Sequence, residues 1–315
     1  MAENRLSTLA IVVGPTASGK SDLALLIAQT FGGEIVGCDS LQVYRGFDIG
    51  TAKVLEAERR GIAHHLVDLI DPTEVFTAGD YARVARACLR DIAARNRLPV
   101  VVGGTGFYLR ALLDGLFPGP QRSPSLRRQL AAREQKRSGS LHRILSRLDP
   151  GSAARIHPKD KNKTIRALEV RILEGRPLSA LFARGTEQLS GFETVKIGLD
   201  PPRDLLYRNL DERTAGMFER GLIDETRHLL ARGIPADAKP FESLGYRQAL
   251  DFIQGRLTIE QALASAQTAT RQYAKRQMTW FRKERGVTWL QGFGDDPFIQ
   301  QQALTTIREA VENRR

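Results

Sequence analysis

The sequence predicts an α/β fold: a P-loop NTPase-like parallel sheet core with an all-helical insertion domain. Three observations predict it. Short apolar runs alternate with amphipathic helical segments through the first 110 residues, and a glycine-rich phosphate-loop string lies between the first run and the first helix. A strongly basic stretch without strand-like runs then interrupts this rhythm. Continuous apolar strands joined by helices signal a parallel sheet buried on both faces. Such sheets bind ligands at the carboxyl ends of their strands.

Residues 9–13, LAIVV, are the first strand and feed a glycine-rich turn. Residues 21–31 follow as a helix, with Leu23, Ala24, Ile27 and Ala28 on one face. Residues 34–38 are a second strand. In residues 80–96, Tyr81, Val84, Ala85, Cys88, Leu89 and Ile92 recur at helical spacing, and residues 99–102 form a third buried strand. The turn cluster at residues 117–120, Phe-Pro-Gly-Pro, marks a composition break. Beyond it, residues 125–136, 141–148 and 161–174 have helical periodicity, with Pro150-Gly151 and Gly175-Arg176-Pro177 as breaks. Residues 194–199 return to the sheet, and residues 203–230 and 259–285 read as long helices. The predicted division is a catalytic core of residues 1–117 and 194–315 and a basic helical insertion of residues 118–193.

A chain of 315 residues has room for two domains. Hydrophobic residues at 42% and charged residues at 26% exclude a disordered protein. No run approaches the roughly 18 apolar residues of a membrane span, and residues 1–9 lack the apolar core of a signal peptide. With only Cys38 and Cys88, neither a disulfide framework nor a zinc site is expected, and a cytoplasmic location is. The net charge of +11 is unevenly spread: residues 1–110 hold 12 basic and 12 acidic side chains, residues 122–176 hold 15 and 5. That segment predicts a polyanion-binding surface.

Gly14-Pro15-Thr16-Ala17-Ser18-Gly19-Lys20-Ser21 is a full G-x-x-x-x-G-K-[ST] match placed between strand and helix. The glycines let successive N–H groups face one anion, Lys20 adds charge, and the Ser21 hydroxyl can ligate Mg²⁺. A nucleotide hydrolase also needs a carboxylate ending a neighbouring strand. Here Val102 runs instead into Gly103-Gly104-Thr105-Gly106, and the acidic strand end is Asp39. Asp39 is poised to bind metal or to accept a proton, and spacing leaves both roles open. His64-His65 reads as a structural pair.

The strings GPTASGKS (14–21), DSLQVYRGFDIGTAK (39–53), HHLVD (64–68), GGTGFY (103–108), IRALEV (165–170) and RQYAKRQMTWFRK (271–283) together resemble the bacterial tRNA dimethylallyltransferase family. The resemblance implies transfer of a dimethylallyl group from dimethylallyl diphosphate to the N6 amine of the adenosine 3′-adjacent to the anticodon. The acceptors would be tRNAs reading codons that begin with U, with diphosphate released and Mg²⁺ as cofactor. It implies that Asp39 accepts the amine proton, that Thr105 acts near the reacting centre, and that Gly14 to Ser21 hold the donor. By the same resemblance Asp39, Ser40, Leu41, Gln42, Thr105, Arg127, Lys163, Thr164, Ile165, Arg166, Ala167, Glu242, Ser243, Leu244, Gly245, Tyr246, Arg247, Arg271, Lys275 and Arg276 contact the tRNA anticodon stem-loop. Gln42 is the candidate for reading base edges. On the last helix Arg271, Gln272, Lys275, Arg276 and Gln277 form the expected RNA face, with Tyr273, Trp280 and Phe281 in the core. The chain departs from the family pattern at residues 118–125, and no cysteine or histidine cluster follows Leu290. A monomer without membrane attachment is expected. The competing readings are an adenylate isopentenyltransferase of the cytokinin-synthase type, a P-loop NTPase or kinase acting on RNA, and a non-catalytic RNA-binding module.

Overall fold

The computed structural model describes residues 6–117, 119–182 and 185–312. The first part runs β1 (Ser7–Val13), α1 (Lys20–Phe31), β2 (Glu34–Gly37), β3 (His64–His65), α2 (Ala78–Ala94), β4 (Pro99–Val102) and α3 (Gly106–Leu113). Five helices follow: α4 (Pro124–Lys136), α5 (Ser140–Leu148), α6 (Pro150–Arg155), α7 (Lys161–Glu174) and α8 (Leu178–Phe182). The last part holds β5 (Phe192–Leu199), α9 (Arg203–Glu219), α10 (Leu222–Ala231), α11 (Tyr246–Ile253), α12 (Ile259–Phe281), β6 (Val287–Leu290) and α13 (Pro297–Glu312). The described residues form two compact units: those up to Leu113 together with those from Leu189 onward, and Asp114–Gln188. Pro118, where the sequence opens the insertion, lies outside the described residues. No described helix is long and apolar enough to cross a membrane.

In the first unit six strands pair in the order β3-β2-β4-β1-β5-β6, every neighbouring pair parallel. β1 is central, with Ile11 in register with Val101 on one side and Lys196 on the other. Ala10 and Val12 pack with Leu23 and Ile27 of α1 and Ile299, Ala303 and Ile307 of α13. Leu9 and Ile11, pointing to the opposite face, are equally buried. A continuous apolar run is therefore what this strand needs. α2 starts on a reciprocal cap, in which Thr77 Oγ1 accepts from Asp80 N and Asp80 Oδ2 accepts from Thr77 N.

One expected helix is divided in two. The helix read over 203–230 is divided at Gly221, whose φ of 95° ends α9 and starts α10. Pro150-Gly151 marks a break as expected: α5 ends at Leu148, and a short new helix, α6, starts there, with Asp149 as its cap and Pro150 in the first turn, where no N–H is needed. β3, β6 and α13 escaped the sequence reading. β3 has only the two residues His64 and His65, too few for any periodicity. His65 Nε2 lies 2.7 Å from Glu34 Oε2.

The second unit is helical throughout its described residues and is built around Leu130, Leu141, Leu145, Ile165, Leu168 and Leu181. Three of its carboxylates are buried and hold backbone. Glu134 accepts from Gly139 N and Leu141 N, Asp149 from Ser152 N and Ser179 N, and Glu169 from Ser123 N. Burial of these acids leaves the exposed surface of the unit more positive than the sequence count suggests.

Candidate active site

The phosphate loop leaves β1 and enters α1 through two backbone positions in the left-handed region. Gly19 has φ 79°, and a Cβ there would lie 2.7 Å from Gly294 N, so only glycine fits. Ala17 holds φ 60° without being glycine, a conformation that costs on the order of 1 kcal/mol and persists only because neighbours fix it. Ser18 Oγ donates to Pro15 O (2.8 Å), Gly294 N donates to Ser18 O (2.9 Å), and Thr16 N donates to Gln277 Oε1 (2.9 Å). Lys20 Nζ donates to Pro15 O.

The ends of β2 and β4 build the facing wall. Gly103 packs so closely on the β2 end that a Cβ would lie 2.1 Å from Cys38 O. Thr105 N donates to Cys38 O (3.2 Å), and Thr105 Oγ1 accepts from Ser40 N (3.1 Å). Asp39 Oδ1 accepts from Leu41 N (2.8 Å) and Gln42 N (3.4 Å). Asp39 Oδ2 takes no hydrogen bond from the described residues. Between the two walls lies a cavity of about 110 Å³, lined among others by Lys20, Ser21, Asp39, Arg213, Tyr273 and Gln277.

The charges in this cavity oppose each other across a desolvated space. Burial, then the Arg213 guanidinium, pull the Lys20 ammonium down to about 7, with Asp39 acting against them. Burial pushes the Asp39 carboxyl up, outweighing the amides of Leu41 and Gln42 and the attraction of Lys20 and Arg213. Burial likewise lowers Arg213. Two cations against one reluctant carboxylate make a site that favours an entering anion.

The IPP transferase profile matches residues 42–284. The chain is 60% identical to the tRNA dimethylallyltransferase of Solibacter usitatus over 95% of its own length and 97% of that protein's. Against the corresponding protein of Koribacter versatilis it is 54% identical over 95% and 98%. The chain belongs to the IPP transferase family. Among solved structures, it is similar to the tRNA isopentenylpyrophosphate transferase of Bacillus halodurans (TM-score 0.73, 37% identity, 98% of both chains). It is also similar to a eukaryotic dimethylallyltransferase acting on tRNA (TM-score 0.83, 27% identity, 98% of this chain and 80% of that one).

In this IPP transferase chain the expected residues divide into three groups. Thr16, Lys20, Ser21, Asp39 and Gln42 line the cavity. Gly14, Pro15, Ala17, Ser18 and Gly19 shape the loop behind it, and the Ser18 hydroxyl is turned inward. Thr105 sits at the edge, joined to Ser40, with Leu41 following. Gln42 departs from the base-reading expectation in its donor half, because Nε2 already donates to Thr51 O (3.1 Å).

The residues expected at the tRNA fall in different environments. Tyr246 is fully buried, its ring in the core with Phe47 and its hydroxyl on Glu225, because it shares the buried stripe of Ala249 and Leu250. Thr164, Ile165 and Ala167 are likewise buried, while Lys163 is exposed beside Asp160. Arg127 and Arg166 both pair with buried Glu169. Glu242 pairs with Lys239, Ser243 and Leu244 are half-buried, Gly245 is the turn before α11, and Arg247 is exposed. Arg271 pairs with Asp211, whereas Lys275 and Arg276 are exposed.

Gln277 falls on the buried α12 stripe with Ala274 and Phe281, away from the expected RNA face. Tyr273, expected in the core, lines the cavity. Trp280 lies under the Arg110 guanidinium at 4.5 Å. The sequence reading missed Arg213 outright. It comes from α9, far along the chain, and nothing in its local string marks it. Tyr273 and Gln277 carried a weak signal, their i, i+4 spacing on one helix.

Proposed function

We propose that this cavity transfers a dimethylallyl group from dimethylallyl diphosphate to the N6 amine of the adenosine 3′-adjacent to the anticodon, in tRNAs reading codons that begin with U. The observation that carries the reading is one small cavity holding the Asp39 carboxyl opposite Lys20 and Arg213, with no carboxylate ending β4. The names of its relatives point the same way. The new bond joins N6 to the allylic carbon as the C–O bond to diphosphate breaks. The bonding electrons leave with the diphosphate, where Lys20, Arg213 and the loop amides stabilise the developing charge. Asp39 accepts the amine proton, a role that its raised affinity for protons suits.

The cavity also fits Mg²⁺ held mainly by substrate. Ser21 would hold it from the protein side, Asp39 being used for the amine proton, and the described residues contain no cluster of three metal-ligating side chains. An ion with so few protein ligands would keep most of its waters. It would supply charge neutralisation. The exposed bases of the second unit, Lys163 among them, are suited to RNA phosphates and would offset the cost of extruding the target base, a few kcal/mol. The proposal includes a monomer acting in the cytoplasm, where the tRNA substrate is found.

The test is incubation with labelled dimethylallyl diphosphate and Mg²⁺, without ATP, together with unmodified tRNA or AMP. Label in tRNA alone is expected. Label in AMP alone would favour the cytokinin-synthase type of enzyme, and no label in either overturns prenyl transfer.

A further inference from the structure

We infer that Gln277 is a positioning residue that ties the phosphate loop to the Gly103–Gly106 turn, so that the diphosphate pocket and the acceptor side of the cavity hold one fixed spacing. The inference rests on the prenyl-transfer reading of the cavity. Gln277 Oε1 accepts from Thr16 N (2.9 Å), and its Nε2 donates to Gly104 O (2.9 Å). The side chain is buried and lines the cavity. A single carboxamide thus bridges the segments leaving two adjacent strands, β1 and β4.

The chemistry of the bridge is specific. It needs one acceptor and one donor on the same planar group, which an amide supplies and a carboxylate does not. Gly104 is fitted to it, since a Cβ there would lie 2.1 Å from Gln277 Nε2. The loop end of the bridge also has strain to hold: Thr16 precedes Ala17, whose φ is 60°. α12 repeats the grip on either side of Gln277. One turn earlier the Tyr273 side chain interacts with those of Thr105 and Gln277, and one turn later Trp280 fills the space a Gly106 side chain would need. Exposed Lys275 and Arg276 lie on the same helix. A rod that presents basic side chains outward therefore also fixes the spacing of the reacting groups.

Removing the amide leaves the part-buried Thr16 N–H and the buried Gly104 C=O unpaired and frees the loop to relax. A misplacement of about 1 Å costs on the order of 100-fold in rate. Gln277→Met conserves volume and adds no charge. Its kcat/KM for dimethylallyl diphosphate is expected to fall by roughly 10- to 100-fold, and its affinity for inorganic diphosphate to weaken, while tRNA affinity holds.

Gln277→Glu provides the readout that a purely structural role would not move. Protonated, its carboxyl can both accept and donate as the amide does; ionised, it only accepts. The ratio of its kcat/KM to wild type should therefore rise about tenfold as pH is lowered from 8 to 6. Taking the ratio removes the titrations of Lys20, Asp39, His64, Arg213 and Tyr273 around the same cavity. Repulsion of diphosphate by an ionised Glu would give a similar slope, and the uncharged Met variant separates the two.

Wild-type kcat/KM in Gln277→Met, or a flat ratio for Gln277→Glu, overturns the positioning role. Absence of transfer by the wild-type protein overturns prenyl transfer instead. In that case the inorganic diphosphate titration alone decides whether Gln277 holds the loop.

Discussion

In the first unit Asp39 Oδ1 accepts the amides of Leu41 and Gln42; in the second, Asp149 accepts the amides of Ser152 and Ser179 and the Ser179 hydroxyl. Both are aspartates that brace a nearby turn, yet they differ in their affinity for protons. Burial acts to raise Asp149, but the bonds from Ser152 and Ser179 to both of its oxygens outweigh it and hold the carboxyl below the usual range. At Asp39 burial is the larger effect, since only one oxygen is engaged and the other is left for the cavity. A buried carboxylate with both oxygens satisfied is structural; one left half-satisfied beside a cavity is available for chemistry.

The most severe test of that contrast is a pair of isosteric substitutions. Asp39→Asn should lower kcat by roughly 100- to 10,000-fold, the usual contribution of a positioned base. It should also leave the protein as stable at pH 7, or more so. Asp39 is raised in the folded state, so its ionised form is disfavoured there and stability declines as pH rises through its folded value; removing the charge relieves this. Asp149→Asn should show the reverse, losing stability with kcat intact. Equal loss of turnover in both variants would break the comparison.

Lys20 sharpens the same contrast from the cationic side. Its ammonium is pulled down to about 7 by burial and then by Arg213. An anion in the cavity restores the charged form, so binding takes up a proton whenever the pH exceeds that value. Diphosphate affinity should thus weaken by up to about tenfold per pH unit between 7 and 9. Because diphosphate titrates as well, the measurement is the difference in slope between wild type and Lys20→Met by isothermal titration. Identical slopes would remove Lys20 from the anion site.

These two regions also differ in how far the sequence exposed them. The phosphate loop and Asp39 are legible because their chemistry is local: glycine spacing, a lysine and a serine at a helix start, and an acid at a strand end. Arg213 is not, because tertiary packing brings it in from α9 and no local string distinguishes it from neighbouring polar residues; Gln277 is legible only as one polar residue of the α12 periodicity, on the wrong face. In the second unit the helices α4, α5 and α7 are legible from periodicity. Which of their polar residues face water is not: Thr164, expected to contact tRNA, is buried, and so is Glu169. The excess of basic residues in this segment is visible in the sequence, whereas the burial of its acids appears only once the helices pack.

The smallest expected effect concerns those acids. Glu134, Asp149, Asp160 and Glu169 are all held below the usual carboxylate range, by hydrogen bonds from backbone, serine, lysine or arginine. A carboxyl depressed in the folded state stabilises it fully above the unfolded value, near 4, and that contribution is lost as pH falls through the folded value. The unfolded chain binds more protons in that window, so stability must rise with pH across it. Asp149→Asn removes one such group and, with one acceptor oxygen in place of two, keeps an acceptor for the Ser152 amide or the Ser179 amide but not for both. It should cost about 1–3 kcal/mol at pH 7 and flatten the acid limb of the unfolding curve. Asp39 is raised instead, and its substitution should leave that limb unflattened. A flattening as large in Asp39→Asn would mean that the two aspartates are doing the same work after all.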